Sequence, residues 1–303
     1  MKIDYMDRNG SIKYVDVPEE SVGAPESCNV LPVVFFSDNN TMAYVVRAIW
    51  SLFKHKKPGY RVLAFLYIYH NPLDMLPITV EELDMIGSSM DDCTLVVEPF
   101  PDVFRESLAN LNYHTGTKYY CGKFFTPKLF PSLPWCMAFD ADIMFIGDVR
   151  DKLSGYSEDF PMISVALDPY KRNNKPYGNA GVQLLNLDKC RSFGYTERCI
   201  EHRLSTDGRK GEGDQGTVNE MFNIDPDRRY LPQELNVDPQ APRIDDPYDI
   251  VCLHYMGRPK LFNKKFVNSS YFSKRIIYEA DLFDLCRKRF IRSKNEKKEE
   301  KNA

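Results

Sequence analysis

Two aspartates one residue apart, Asp140 and Asp142, sit between two apolar runs. Trp135-Cys136-Met137-Ala138-Phe139 reads as a buried strand that delivers Asp140, and Ile143-Met144-Phe145-Ile146 as the apolar run that leaves it. Buried charge is costly unless it is paired or bound to a metal. Two carboxylates at the end of a core strand, with Ala141 between them, would suit a hard divalent cation. Mg²⁺ or Mn²⁺ with open positions could then hold a diphosphate. The alternative is a turn or helix cap with solvated acids, and the tripeptide alone does not choose between them.

Other residues along the chain carry similar double readings. Ser37-Asp38-Asn39-Asn40 closes a continuous apolar run, and ligands bind at the carboxyl ends of strands in open α/β sheets. The same residues could cap a helix, since Asn40 or Thr41 precedes a helical pattern. Lys123 is the one cation in the apolar middle of its segment. It is either a surface lysine laying its stem along apolar neighbours or the partner of a phosphate or carboxylate. Asn179-Ala180-Gly181, taken alone, is a turn. Asp214, ahead of Gln215 and a helical stretch through Val218, Met221 and Phe222, could be only an N-cap. His254 follows Ile250-Val251-Cys252-Leu253 and is a core histidine or a ligand. Gly257 and Lys260, just beyond it, favour the ligand: glycine admits close backbone approach, and lysine supplies a cation for a phosphate.

The elements that must position these residues alternate in type. Val30 to Phe36 is a strand buried on both faces. Met42, Val45, Val46, Ile49, Leu52 and Phe53 follow at helical spacing, up to Lys56-Lys57-Pro58-Gly59. Arg61 to Tyr69 is the second strand, Thr79-Val80-Glu81-Glu82 has capping-box spacing, and Cys93 to Val97 is the third strand. Residues 102 to 130 carry a mostly helical pattern broken at Gly116 and Pro127, and Met162 to Asp168 is a later strand. Such alternation predicts an α/β fold with crossover helices on a mostly parallel sheet. Residues 1–28 read as a polar, extended N-terminal arm, 29–262 as the body, and 263–303 as a helical C-terminal extension with a charged tail expected to be disordered.

Composition bounds the function. A chain of 303 residues can bury a full core. The formal net charge of −3 argues against a general nucleic-acid binder. The polar start Met1 to Arg8 offers no apolar core for a signal peptide, and no apolar run reaches membrane-helix length. None of the eight cysteines shows Cys-X-X-Cys spacing, so buried reduced thiols and a cytoplasmic location are the default expectations.

In order and spacing, these motifs resemble glycosyltransferase family 8, the retaining GT-A enzymes that include glycogenin and bacterial lipopolysaccharide galactosyltransferases. The resemblance runs from about residue 30 to 262. It joins the strand ending at Asp38 and Asn40, the Tyr119–Pro131 segment, Asp140-Ala141-Asp142, Tyr177 to Arg191, Gly213-Asp214-Gln215-Gly216 and His254-Tyr255-Met256-Gly257-Arg258-Pro259-Lys260. It implies a GT-A fold with one Rossmann-like mixed sheet, a UDP-sugar donor, and a saccharide, glycolipid or protein acceptor. Asp140, Asp142 and His254 would hold Mn²⁺, with Mg²⁺ as the alternative, while Gly257 and Lys260 would face the diphosphate. Asp38 would read the uracil edge, with Asn40 and Lys123 also at the donor. Asn179 would bond a sugar hydroxyl, and Gly181, beside Ala180, would leave room for the sugar ring. Asp214 would bind sugar hydroxyls, and Gln215 would lie near the anomeric carbon, where its carbonyl oxygen could stabilise an oxocarbenium-like state. Asp168 is a further candidate for donor or acceptor hydroxyls.

Several positions depart from the family pattern. Thr41 stands where a tyrosine often stacks on uracil, Lys123 replaces an arginine fork, Gly216 replaces a second aspartate, and Cys190 a tryptophan. Thr41 and Gly216 motivate a second reading, a sugar-nucleotide-binding protein without turnover, and the eighteen tyrosines keep a third open, a self-glycosylating primer like glycogenin. The basic stretch Arg287-Lys288-Arg289-Phe290-Ile291-Arg292 could touch an anionic membrane surface or be a solvated helix end.

Overall fold

A computed structural model describes residues 1–19, 21–69, 77–88, 90–111, 119–168, 176–206, 213–239, 249–255, 281–293 and 295–296. The chain opens with a hairpin of β1 (Lys2–Met6) and β2 (Ile12–Asp16). It continues through β3 (Val30–Ser37), α1 (Met42–His55), β4 (Arg61–Ile68), α2 (Pro77–Ser88), β5 (Cys93–Pro99) and α3 (Asp102–Asn110). A 3₁₀ segment, Tyr119–Phe125, runs into α4 (Thr126–Leu129), then β6 (Trp135–Phe139), β7 (Ile143–Phe145), β8 (Ile163–Leu167) and β9 (Gly178–Asn186). Helices α5 (Leu187–Phe193), α6 (Tyr195–Ser205) and α7 (Asp214–Ile224) precede β10 (Arg229–Tyr230) and β11 (Cys252–His254).

The main sheet has the order β10-β8-β9-β6-β3-β4-β5. Strands β6, β3, β4 and β5 run parallel, and β10 is parallel to β8. Strand β9 is inserted antiparallel to both of its neighbours. The carboxyl ends of β3, β6 and β8 and the amino end of β9 therefore meet at one edge. Every residue of β3 is buried, as its unbroken apolar run requires. Pro32 is tolerated in this central strand because β6 pairs with it only from Val33 onward. Beneath the shared edge, Phe35 stacks on Phe139 with ring centroids 5.7 Å apart, and Phe139 meets Phe145 edge-on at 5.0 Å. This aromatic ladder fixes β6 and β7 on either side of Asp140-Ala141-Asp142.

Strand β7 leaves the main sheet and pairs antiparallel with β11, which brings His254 opposite Ile143. Helix α5 is capped at both ends: Asn186 accepts from the Lys189 amide, and Gly194 takes the left-handed conformation at φ 71° that ends the helix and starts α6.

Two expectations change, and a third, the helical C-terminal extension, gains a packing role. Residues 2–16 are not an extended arm: they pair as a hairpin whose Ile3 and Tyr5 enter the core, with Tyr5 5.4 Å from Phe65. The 102–130 stretch divides into α3, the 3₁₀ segment and α4, with Pro127 in the first turn of α4 where its missing N–H costs nothing. The helical residues 281–293 pack on the body. Phe283 is 1% exposed, edge-on to Trp50 at 5.3 Å, and Arg287 pairs with the buried Glu82 at 3.1 Å. Lys288 and Arg289 of the basic stretch remain exposed. No described helix is long and apolar enough to cross a membrane. All eight cysteines are free thiols, seven of them buried. Burial pushes the Cys28 and Cys93 thiols up to about 11, so both stay protonated at neutral pH.

Candidate functional site

Asp140, Asp142 and His254 are placed by backbone pairing. The Asp140 amide donates to the Gly181 carbonyl at 2.8 Å, tying it to β9. The Asp142 carbonyl accepts from the Tyr255 amide at 3.0 Å, tying it to the end of β11. His254 Nε2 then lies 3.5 Å from Asp140 Oδ2 and 3.4 Å from Asp142 Oδ1. One ligand atom from each residue falls within 4.8 Å of the others. Neighbouring ligands on a six-coordinate cation stand about 3 Å apart, given bonds of about 2.1 Å. Two carboxylate oxygens and one imidazole nitrogen at these separations fit Mn²⁺ or Mg²⁺ with positions left open for other oxygens.

The ring of His254 is confined on two sides. Its Nδ1 meets Asn236 Oδ1 at 2.8 Å, inside the core. On the other side, a Cβ at Gly181 would come 2.1 Å from His254 Cε1 and 2.5 Å from Nδ1. The space that glycine leaves at 181 is thus filled by imidazole, where the sequence suggested room for a sugar ring. Burial works against a charge on His254, but hydrogen bonds to Asp140 and Asp142 overcome it and push the imidazole up to about 9.

Lys123 is 1% exposed and does not run along the surface. It donates to Asp140 Oδ1 at 2.6 Å and to the Ala180 carbonyl at 2.8 Å, and its Nζ lies 2.9 Å from Asp214 Oδ2. The first two are hydrogen bonds of the ammonium group, and the third is an ion pair. Burial alone would strip its proton, yet Asp140 and Asp214 raise it above the ordinary lysine value. Burial likewise opposes charge on Asp140, but Lys123 and His254 outweigh it and hold that carboxyl well below the usual range. Asp214 is shifted the other way: burial outweighs the attraction of Lys123, and the charge of Asp140 adds to the rise.

A second cluster adjoins the first. Asp214 and Gln215 begin α7, with Gly213 at the cap position. Gln215 Oε1 accepts from Asn179 Nδ2 at 3.1 Å and from the Ala180 amide at 3.4 Å. Its Nε2 donates to Asp168 Oδ2 at 2.6 Å. Asn219, one turn later, exchanges two 2.7 Å bonds with the backbone of Gly178 and a third with the Gln215 carbonyl. Asn179, Ala180 and Gly181 therefore belong to a strand, not a turn, and that strand is bolted to the start of α7.

Asp38 is buried at the end of β3. Its Oδ1 accepts from the amides of Asn40 and Thr41 and from Thr41 Oγ1, each at 3.0 Å, and its Oδ2 from Asn40 Nδ2 at 3.3 Å. This carboxylate, rather than Asn40 or Thr41, satisfies the amides ahead of α1. Tyr119 stands over the same edge. Burial and then the charges of Asp140, Asp142 and Asp38 push its phenol far above the ordinary value. Ala141 is buried between the paired aspartates. Gly257 and Lys260 lie outside the described residues.

Sequence reasoning did not single out Asn236, Asn219 or Tyr119. Asn236 offers only a thin signal, a polar residue between Leu235 and Val237 in a stretch that reads as buried. Asn219 lies four residues after Gln215, on the same helical face, which is a usable clue.

Against solved structures the architecture is familiar. Galactosyltransferase LgtC, solved with donor and acceptor sugar analogues, superposes with a TM-score of 0.63 over 83% of this chain and 95% of its own, at 16% identity. The fold is GT-A. Glycosyltransferase GlyE of Streptococcus pneumoniae TIGR4 gives 0.62 over 88% of this chain and 64% of its own, also at 16% identity. Mouse xyloside xylosyltransferase 1 gives 0.53 over 69% and 87%, at 13% identity. No protein-family model and no curated protein matches the chain.

Proposed function

We propose that this protein is a metal-dependent glycosyltransferase that moves a hexose or pentose from a UDP-sugar to a saccharide, lipid-linked or protein acceptor. The observation that carries the reading is the Asp140–Asp142–His254 cluster at the carboxyl edge of a GT-A sheet. Charge supports it. Asp38, Asp140, Asp142, Asp168 and Asp214 crowd the edge, and among the described residues Lys123 and His254 are the cations bonded to them. Acids packed this closely favour an added cation, and a cation favours a diphosphate.

Asp140, Asp142 and His254 would hold Mn²⁺, or Mg²⁺ in its place. When bound, such an ion stabilises the negative charge that develops on a departing diphosphate. Lys260, close behind His254 in sequence, is assigned to the same charge. Asn179, Asp214 and Gln215 are assigned to the donor sugar. Asn179 and the Ala180 amide hold the Gln215 carbonyl oxygen while Asp168 holds its amide, so Gln215 is kept in one orientation. With an amide at that position, return of the acceptor on the same face within an ion pair is favoured over a covalent intermediate, because an amide is a weak nucleophile. The retained stereochemistry and the family 8 assignment rest on the motif order.

The test is release of UDP from a panel of UDP-sugars, with and without Mn²⁺, beside Asp142→Asn. Release from one sugar that needs the ion and disappears in the variant supports the transferase. Binding of UDP and Mn²⁺ without release from any sugar, and without gain of mass by the protein, would leave a binding protein in its place.

A further inference from the structure

We propose that Asn236 is a positioning residue for His254: its side-chain oxygen accepts a hydrogen bond from Nδ1–H, which keeps the ring proton there and presents the Nε2 lone pair to a cation held with Asp140 and Asp142. The proposal rests on the metal reading of that cluster. Asn236 is fully buried, and a buried amide needs a reason to be polar. Its backbone supplies none, because any residue could make the same bonds. Its amide donates to the Gln233 carbonyl at 2.9 Å, and its carbonyl accepts from Gln233 Nε2 at 2.9 Å. The neighbouring bonds fix its place against β11: the His254 amide donates to the Val237 carbonyl at 2.8 Å, and the Val237 amide to the Cys252 carbonyl at 3.0 Å. The side chain is therefore delivered to the imidazole by strand register.

Among the described residues, Asn236 Oδ1 reaches His254 Nδ1 at 2.8 Å, while Nδ2 has no partner. A leucine, branched in the same way, would avoid the cost of that idle N–H pair. What the asparagine adds is one acceptor aimed at one ring nitrogen. A carbonyl oxygen cannot donate, so the ring nitrogen facing it must carry the proton. With the Cε1–Nδ1 side of the ring filling the space that Gly181 leaves, both the rotation and the tautomer of His254 are set. The reversed amide would donate to Nδ1 and leave the ring proton on Nε2, between two carboxylates, where a cation could not bind.

The test compares Mn²⁺ and Mg²⁺ affinity by calorimetry for the wild type, Asn236→Leu and Asn236→Asp, with Asp142→Asn as the control for the cluster. Long-range nitrogen–proton spectra of the Mg²⁺-loaded wild type read which nitrogen of His254 is protonated. The expected results are a proton on Nδ1, an affinity loss of about 10- to 100-fold in Asn236→Leu, and recovery to within a few-fold in Asn236→Asp. A proton on Nε2 in the loaded wild type overturns the proposal without need of any variant. Equal affinity of wild type and Asn236→Leu overturns it while leaving the metal site intact. Absence of metal binding in the wild type overturns the site itself, and the role of Asn236 with it.

Discussion

Gly181 and His254 share one volume, and only one of them can fill it. No left-handed backbone angle requires glycine at 181, so alanine there is a purely steric perturbation. Gly181→Ala should lower stability by about 1–3 kcal/mol, as overpacked cores do. It should weaken Mn²⁺ binding by a larger factor than it weakens folding, because the displaced ring is a ligand. Parallel thermal melts and metal titrations would separate the two effects. The charge of His254 gives a second expectation. With its imidazole raised to about 9, the metal-free ring is protonated at pH 7, whereas a ligand must be neutral. Metal binding at pH 7 should therefore release about one proton, and the apparent affinity should climb until the pH passes about 9. Calorimetry in two buffers of different ionisation heat measures the release; equal heats in both would contradict it. Without metal the sign reverses. The folded-state value exceeds the unfolded one of about 6.5, so the stabilisation from protonated His254 is complete below that pH and is lost as pH rises through about 9.

Among the elements, the 3₁₀ segment Tyr119–Phe125 and helix α7 are joined through one ammonium group. Lys123 holds Asp140 at the end of β6, Ala180 in β9 and Asp214 at the start of α7. Lys123→Met keeps the bulk and removes the charge, leaving two partly buried carboxylates without their shared cation. The loss, read from the urea midpoint, should be about 2–3 kcal/mol, below that of a fully buried pair because solvent reaches both carboxylates. Added Mn²⁺ should return part of that loss, since it supplies positive charge to Asp140. The alternation of apolar runs and helical spacing makes β3, α1, β4 and β6 legible in the sequence, because each is an ordinary solution to burial on a sheet. The aspartate pair and His254 are legible too, as charged residues that terminate apolar strands. The hairpin is not: β2 is largely exposed and β1 alternates over only five residues, too short a pattern against a polar background. Asn236 stays hidden for a different reason. Its importance lies in a contact with a residue 18 positions later, beyond the reach of any helix or strand period.

At the scale of the whole molecule, the sheet gathers residues from widely separated parts of the chain at one edge. Reversal of β9 makes this possible, because it turns the amino end of that strand toward the carboxyl ends of β6 and β8. The helical residues 281–293 close the opposite end of the chain onto α1 and α2 through Phe283 and Arg287, giving the C-terminal part a packing role. The pairing of β7 with β11 carries one more implication, in the language of folding rates. It is a contact of high order, linking Ile143 to His254 across nearly the whole second half of the described body. Contacts of that separation form late, after nearer pairings have repaid their loop entropy. The three-ligand cluster should then be absent from the transition state, so a bound cation would lower the unfolding arm of a chevron plot and leave the refolding arm where it was. The ion would act as a latch on the finished molecule, lengthening its lifetime without hastening its birth.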